Sequence, residues 1–195
     1  MKLKIYEELA GEVLTCQKCD LGCEKQKDVD GHVMGQGNLN ATILVVAEAP
    51  GEQETIYKRP LTPPGTSGKM YEKVLAHLGL TREQVYTTNT VLCRPLDNRD
   101  PEPYEVARCR PYLDRQMALI KPKLIITFGR FAAQSFLNNF KITRDHGKIQ
   151  KCEKYGVEIY PLYHPSYIAA YAPLSKRDEF KADVNKLKTI IKGYL

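Results

Sequence analysis

The sequence has no long hydrophobic run. Its longest apolar stretches, residues 42–47 and 124–127, are far shorter than the roughly 20 residues that span a bilayer. The first residues, Met-Lys-Leu-Lys-Ile-Tyr-Glu-Glu, also lack the apolar segment of a signal peptide. We therefore expect neither a transmembrane nor a secreted protein, and we expect a cytoplasmic location.

Internal repeats, low-complexity tracts and blocks of like charge are also absent from the sequence. The Pro- and Gly-rich stretch at residues 59–68 is too short for a linker between domains. A chain of 195 residues buries enough surface to form a core without disulfides. We therefore expect a single domain over residues 1–195. The net charge of +6 permits a surface that faces phosphates, but it does not by itself indicate nucleic acid.

Apolar runs rich in β-formers alternate with helical patterns along the chain. Residues 42–47 form a continuous apolar run, which is typical of a strand buried on both faces. Three more strands are predicted at residues 85–91, 124–128 and 157–162. Helices are predicted between and after them: one that Gly79 closes, one that Asp100 and Pro101 begin, a short one at 130–137, and a final one beginning near Ser175 and Asp178. The alternation predicts an α/β fold, a three-layer αβα sandwich with a central, mainly parallel four-stranded sheet.

Polar residues follow three of these strands directly. Glu48, Asn89 and His164 lie where the first, second and fourth strands end. Each residue alone has an ordinary explanation, as a solvated carboxylate, a turn former or a structural histidine. Ligands of parallel sheets bind beyond the carboxyl ends of the strands, where all three residues are expected to meet. Their combination therefore predicts a functional site.

Four of the six cysteines have the spacing of a metal site. Apolar residues at helical spacing predict a further helix over residues 3–14, and Cys16 and Cys19 form a Cys-x-x-Cys pair in the loop after it. Cys93 and Cys109 follow far along the chain. Four thiolates bind zinc or a [4Fe–4S] cluster, and the spacing does not separate the two. The alternative is unrelated buried thiols with one disulfide, which a reducing cytoplasm disfavours.

Motifs along nearly the whole chain resemble those of the iron–sulfur uracil-DNA glycosylases of family four, a branch of the uracil-DNA glycosylase superfamily. The matching segments, in order, are residues 48–54, 88–95, 98–101, 109–113, 121–133, 146–147 and 163–166. The resemblance implies a monofunctional enzyme of DNA repair. Such an enzyme flips uracil out of single- or double-stranded DNA and hydrolyses its N-glycosidic bond, leaving an abasic site. It further implies a monomer associated with the nucleoid of a prokaryote.

The resemblance also implies roles for individual residues. The four cluster ligands of the family fall on Cys16, Cys19, Cys93 and Cys109, which implies a [4Fe–4S] cluster and leaves Cys23 and Cys152 outside it. Glu48 and His164 match the catalytic residues: Glu48 holds a water beside a cationic sugar, and His164 donates to uracil O2 as that oxygen becomes anionic. Asn89 matches the residue that reads the base edge.

The remaining substrate-binding positions implied by the resemblance are Ala49, Gly51, Glu54 and Leu61. Glu54 is expected to orient Asn89 and His164 rather than to contact the substrate. Leu61 stands where the family usually has an aromatic residue that stacks on the flipped base, in a segment about two residues longer than usual. Either Leu61 or Tyr57 could form that wall.

Two other functions stay open. A wall without an aromatic side chain could admit another deaminated base, such as hypoxanthine or xanthine. The chain could instead be a non-catalytic DNA-binding relative, although intact Glu48, Asn89 and His164 argue against loss of catalysis.

Tyr167 or Tyr171, after the His164 motif, could act as a wedge in the DNA.

Overall fold

The computed structural model describes residues 1–23 and 30–195, which form a six-stranded sheet with helices on both faces. The strand order is β1-β3-β2-β4-β6-β5. The strands are β1 (Gln36–Gly37), β2 (Ile43–Ala47), β3 (Val85–Asn89), β4 (Leu124–Phe128), β5 (Gln150–Cys152) and β6 (Val157–Leu162).

The four central strands, β3, β2, β4 and β6, are parallel and are the four that the sequence predicts. The expectation of a four-stranded sheet is wrong in number, because β1 and β5 add an antiparallel strand at each edge. These edge strands have two and three residues, which is too short for an alternating pattern to stand out in the sequence.

The sheet separates two hydrophobic layers. On one face, alternate strand residues such as Val45 and Ile126 pack against α4 (Thr66–Leu78) and α8 (Leu174–Ile190). On the other face, Leu44, Val46, Ile125 and Ile159 pack against α5 (Pro103–Ile120) and α6 (Arg130–Gln134). Successive strand residues point to opposite faces, so β2 and β4, which are buried at every position and apolar except at Thr127, produce the predicted three-layer sandwich.

Two helices begin away from their predicted start. Helix α5 begins at Pro103 rather than at Asp100–Pro101, because the Glu105 carboxylate accepts a hydrogen bond of 2.7 Å from the backbone N–H of Glu102. Helix α8 begins at Leu174, directly after Pro173, so Ser175 does not cap it. The predicted short helix ends at Gln134.

The N-terminal segment packs against the edge of this core. Helix α1 (Lys2–Leu14) buries Leu9 and Val13 in a third cluster, together with Val91, Leu92 and Tyr112. The shorter helices are α2 (Asp20–Cys23), α3 (Glu52–Tyr57) and α7 (Ile142–Asp145). Within the part of the chain that the structure describes, no helix combines the length and apolar character needed to cross a membrane.

Candidate active site

A cavity of about 650 Å3 lies beyond the carboxyl ends of the parallel strands. Glu48 enters it from the end of β2 and His164 from the end of β6, and the segments 49–54, 61–68 and 95–100 complete its wall. This volume lies in the range of small-molecule sites. The structure therefore brings the two sequence-predicted catalytic residues into one cavity.

Glu48 is an acid without a hydrogen-bond partner for its carboxylate among the described residues. Burial and, to a smaller extent, the nearby Asp100 carboxylate raise the pKa of Glu48 to about 7, with Arg130 opposing the shift. Its backbone is fixed, since the carbonyl of Glu48 accepts a hydrogen bond of 3.1 Å from the N–H of Val91. The carboxylate is therefore a poorly solvated group on a rigid strand end.

Asn89 ends β3 in register with Ala47 of β2, beside the strand end that carries Glu48. Its side chain is completely buried, and neither its amide nitrogen nor its amide oxygen has a hydrogen-bond partner in the described structure. A buried polar group without a partner costs about 1–3 kcal/mol. Asn89 does not itself line the cavity wall. An amide kept unpaired at this strand end is suited to a ligand that offers both a donor and an acceptor.

Glu54 ties together two segments of the cavity wall. Its buried carboxylate accepts hydrogen bonds from the backbone N–H of Gly51, at 2.7 Å, and of Leu61, at 2.6 Å. Burial raises the pKa of Glu54, and these two N–H groups, Arg82 and the nearby Asn89 amide partly offset the shift. Glu54 thus holds the wall and lies near Asn89, but no hydrogen bond joins it to Asn89 or His164, so its role in orienting them stays a prediction.

Ser166 orients His164 instead. The backbone N–H of Ser166 donates to Nδ1 of His164 at 3.3 Å, and the Ser166 hydroxyl lies 2.7 Å from the same atom. Because Nδ1 accepts the backbone hydrogen bond, the proton of a neutral ring is on Nε2. Burial lowers the pKa of His164 to about 4, so the ring is neutral at pH 7. His164 therefore offers an uncharged N–H donor.

A glycine allows the His164 ring its position. Gly129, directly after β4, has a φ of +88°, and a Cβ at this residue would lie 3.2 Å from Cβ of His164. Any larger residue would be strained and would crowd the ring.

The predicted substrate-binding positions Ala49, Gly51 and Leu61 all line the cavity. Leu61 is only 1% exposed and is part of the core next to α4. Tyr57, the other candidate for the wall, is 56% exposed and does not line the cavity, so the structure favours Leu61 of the two alternatives. The side chain lies on the outward face of the short helix α3.

Two tyrosines follow His164 in a single π-helical turn, Tyr167–Tyr171. Tyr171 lines the cavity and is 79% exposed, whereas Tyr167 packs near Tyr163 with 5.8 Å between ring centroids. Of the two candidates for a wedge, Tyr171 is therefore the one at the mouth of the cavity.

The sequence predicts Asp100 only as the start of a helix and not as a residue of the site, although it lies in one of the quoted motifs. Asp100 lines the cavity, and its carboxylate accepts a hydrogen bond of 2.5 Å from the Arg130 guanidinium. Arg99 anchors the same segment, because it donates to both carboxylate oxygens of the buried Glu105 at 2.7 and 2.9 Å. An exposed ion pair thus spans the rim of the cavity near Glu48.

The four predicted metal ligands surround a second, smaller pocket. Cys16, Cys19, Cys93 and Cys109 all line it, from the loop after α1, the segment after β3 and helix α5. Burial raises the pKa of Cys109 to about 12 and raises that of Cys93 as well. Across residues 1–23 and 30–195, no group of three His, Cys, Asp or Glu side chains is close enough to hold a single metal ion. The donor set nevertheless fits a group that takes four thiolates.

The other cysteines are separate from this pocket. Cys152 is buried in the hydrophobic layer between the sheet and α5. The side chain of Cys23 lies outside what the structure describes. His32 holds the loop that carries Cys16, since its Nε2 lies 2.8 Å from the Cys16 carbonyl oxygen.

The comparisons with known proteins agree with one another. The family model described as the uracil DNA glycosylase superfamily matches residues 34–188. A type-4 uracil-DNA glycosylase of Archaeoglobus fulgidus is 40% identical over 192 residues, which cover 95% of this chain and 92% of that protein. Another, of Thermotoga maritima, is 32% identical and covers 97% and 96% of the two chains.

A solved structure is similar in fold alone. A protein of Methanosarcina acetivorans, determined by solution NMR, is 13% identical to this chain with a TM-score of 0.51. The structural match covers 82% of this chain and 99% of that protein. With the family model matching most of the sequence and the relatives matching nearly all of it, this chain belongs to the type-4 uracil-DNA glycosylases of the uracil-DNA glycosylase superfamily.

Proposed function

We propose that this chain removes uracil from DNA by hydrolysing the N-glycosidic bond of a nucleotide flipped into the cavity. The observation that carries the proposal is that an acid of raised pKa and a neutral histidine donor line one cavity, beside a buried amide without a partner. Family membership supports the same reaction and DNA as the substrate.

Asn89 is proposed to recognise the base. Its amide carries both a donor and an acceptor, so it can pair with O4 and N3–H of uracil. Cytosine presents the opposite polarity at these positions and would leave buried groups unpaired. Binding of uracil would thus satisfy the two amide atoms that have no partner in the described structure.

His164 and Glu48 are proposed to stabilise the two charges that develop as the bond breaks. The departing base becomes anionic, and the Nε2–H of His164 is a neutral donor for its O2. The sugar becomes cationic, and the Glu48 carboxylate stabilises it and holds the attacking water. Bond cleavage of this kind depends on stabilising the transition state rather than on a strong nucleophile.

Cys16, Cys19, Cys93 and Cys109 are proposed to hold a [4Fe–4S] cluster. The cluster would supply structural cross-linking, because its ligands come from the N-terminal loop, the segment after β3 and α5. The cysteine pocket shares no lining residue with the cavity of Glu48 and His164, which supports a structural role.

The wall at Leu61 supports a second candidate substrate, a bulkier deaminated base. The cavity of about 650 Å3 has an aliphatic side chain where the family usually has an aromatic ring. Hypoxanthine or xanthine would need this space.

Release of defined bases from oligonucleotides tests the proposal. Substrates carry uracil, hypoxanthine or xanthine, in single strands and opposite guanine or adenine. We expect release of uracil above all, and its loss in Asn89→Ala because that variant lacks the amide proposed to read the base edge. Asn185→Ala is the matched control, since Asn185 is on α8 and does not line the cavity. Unchanged uracil release by Asn89→Ala would remove Asn89 from the site, and faster release of hypoxanthine than uracil would favour the second candidate.

A further inference from the structure

Leu61 has a backbone conformation that leucine rarely adopts. Its φ is +48°, in the left-handed region where a side chain crowds the following carbonyl. Such a conformation is unfavourable for a residue with a side chain and persists only where the surroundings impose it. The cavity wall at Leu61 is therefore held in place by other residues.

Two charged side chains hold the peptide groups of Leu61 from opposite ends. Glu54 accepts a hydrogen bond from its N–H, at 2.6 Å. The Arg82 guanidinium donates to the Leu61 carbonyl oxygen and, at 3.0 Å, to the carbonyl oxygen of Pro60. The planar fork of an arginine can donate to both carbonyls at once.

Arg82 is itself held in place by Glu72 and Tyr71. Its Nε donates to the Glu72 carboxylate at 2.6 Å, and its guanidinium lies 4.8 Å from the centre of the Tyr71 ring. Tyr71 in turn is anchored by a hydrogen bond of 2.8 Å to the Thr87 hydroxyl. The Arg82 side chain is only 11% exposed, so water competes little for these contacts.

Arg82 acts at a distance from the chemistry. Arg82 does not line the cavity of Glu48 and His164. It lines a separate surface pocket, together with Gln36 and Arg59. Any effect of Arg82 on the reaction is therefore indirect: it passes through residues 60 and 61, whose carbonyl oxygens Arg82 holds, and through the nearby Glu54 carboxylate, whose charged form Arg82 stabilises.

We propose that Arg82 is a positioning residue that fixes the Leu61 wall and thereby sets which bases the cavity admits. The proposal rests on the uracil-excising function proposed above. A fixed aliphatic wall discriminates by size, since one methyl-sized group in a rigid pocket changes the rate about 10- to 200-fold. Without Arg82 the wall can yield, and the penalty on larger bases falls.

The test compares release of uracil with that of 5-bromouracil, whose bromine is about as large as a methyl group, by the wild-type chain, Arg82→Gln and Arg82→Lys. Bromine also makes the base a better leaving group, but this chemical effect is the same for every variant and cancels when their selectivity ratios are compared. Single-turnover rates are measured well below the unfolding temperature of each variant, so a loss of stability alone does not alter the ratio.

We expect the ratio of uracil to 5-bromouracil rates to fall about tenfold in Arg82→Gln. In Arg82→Lys it should fall less, because an ammonium can bond one carbonyl but not present the fork. Arg59→Gln is the matched control: Arg59 is also next to the wall, but its side chain makes no hydrogen bond to any residue that the structure describes. Its ratio should equal that of the wild type.

An unchanged ratio in Arg82→Gln would overturn the proposal, even if its unfolding temperature drops, because Arg82 would then have only a structural role. Release of 5-bromouracil that stays below detection in Arg82→Gln would overturn it as well. A wild-type chain that releases no uracil would instead contradict the proposed function, so the two failures are distinguishable.

Discussion

Replacing Glu48 by glutamine should make the protein more stable at pH 8 while it loses activity. Burial raises the pKa of Glu48 from 4.5 to about 7, so the folded state disfavours the charged carboxylate. This change in pKa corresponds to about 3 kcal/mol, from 1.4 kcal/mol for each tenfold change in proton affinity. Glutamine has nearly the same shape and no charge, so the variant avoids this cost.

The pH dependence of the difference follows from proton linkage. Between pH 4.5 and 7, Glu48 is ionised in the unfolded chain but still binds its proton in the folded one. The folded state then binds more protons, and the contribution of Glu48 to the free energy of unfolding falls as pH rises through this window. Above about pH 7 Glu48 is ionised in both the folded and the unfolded chain, so its contribution to the free energy of unfolding no longer changes with pH. The advantage of Glu48→Gln should therefore be absent near pH 4.5 and largest at pH 8.

Thermal unfolding at pH 5 and pH 8 measures this effect. A gain of up to about 3 kcal/mol raises the unfolding temperature of a chain of this length by roughly 6–10 °C. Glu153→Gln is the control, since the Glu153 side chain is 80% exposed and its charge should cost nothing. Uracil release by Glu48→Gln should fall even as stability rises, because the site keeps a costly charge for its chemistry. An unfolding temperature at pH 8 equal to or below that of the wild type would refute this reasoning.

Three further predictions concern other parts of the molecule. His164→Ala should lower the single-turnover rate about 100- to 1000-fold with little change in DNA affinity, because the donor acts on developing charge; weaker DNA binding at an unchanged rate would contradict this. Protein purified without oxygen should be brown with about four irons per chain, and Cys93→Ala should lose iron, fold and activity together; stoichiometric zinc without iron would exclude the cluster. Tyr171→Ala should slow release from duplex more than from single strands, since only duplex requires the base to be unstacked and unpaired; equal slowing would exclude a wedge.

The sequence predicts the centre of this fold because β2 and β4 are largely apolar on both faces. Residues 43–47 and 124–128 are buried at every position, and only a sheet covered on both sides accommodates such runs. A parallel sheet then places the ends of its strands together. The convergence of Glu48 and His164 on one cavity thus follows from hydrophobic patterning combined with a topological rule.

The edge strands could not be predicted in this way, because they form by pairing with a neighbouring strand and have no hydrophobic pattern of their own. β1 is a Gln-Gly pair that aligns with Tyr86 and Thr87 of β3. Neither residue favours a strand, and a hydrogen-bonded neighbour supplies the order. Partners this far apart in the chain are not visible in a local pattern.

The orientation of His164 also depends on a contact that the motif does not specify. The sequence Tyr-His-Pro-Ser places Ser166 two residues later, and only the observed turn brings its N–H to Nδ1. The sequence predicts that Glu54 orients His164, but the Glu54 carboxylate accepts its hydrogen bonds from the N–H groups of Gly51 and Leu61. A carboxylate beside the ring would favour the imidazolium, whereas a backbone N–H favours a neutral ring.

This difference bears on how the site works. A neutral His164 with a pKa of about 4 cannot become a cation at physiological pH, so its donor strength is set by position and not by protonation. Glu48, with a pKa of about 7, is a group in the cavity that titrates in that range. Activity should therefore rise with pH as Glu48 ionises and show no loss between pH 5 and 9 from deprotonation of His164. A rate that falls between pH 6 and 8, as expected for a catalytic imidazolium, would reverse the assignment of charges in this cavity.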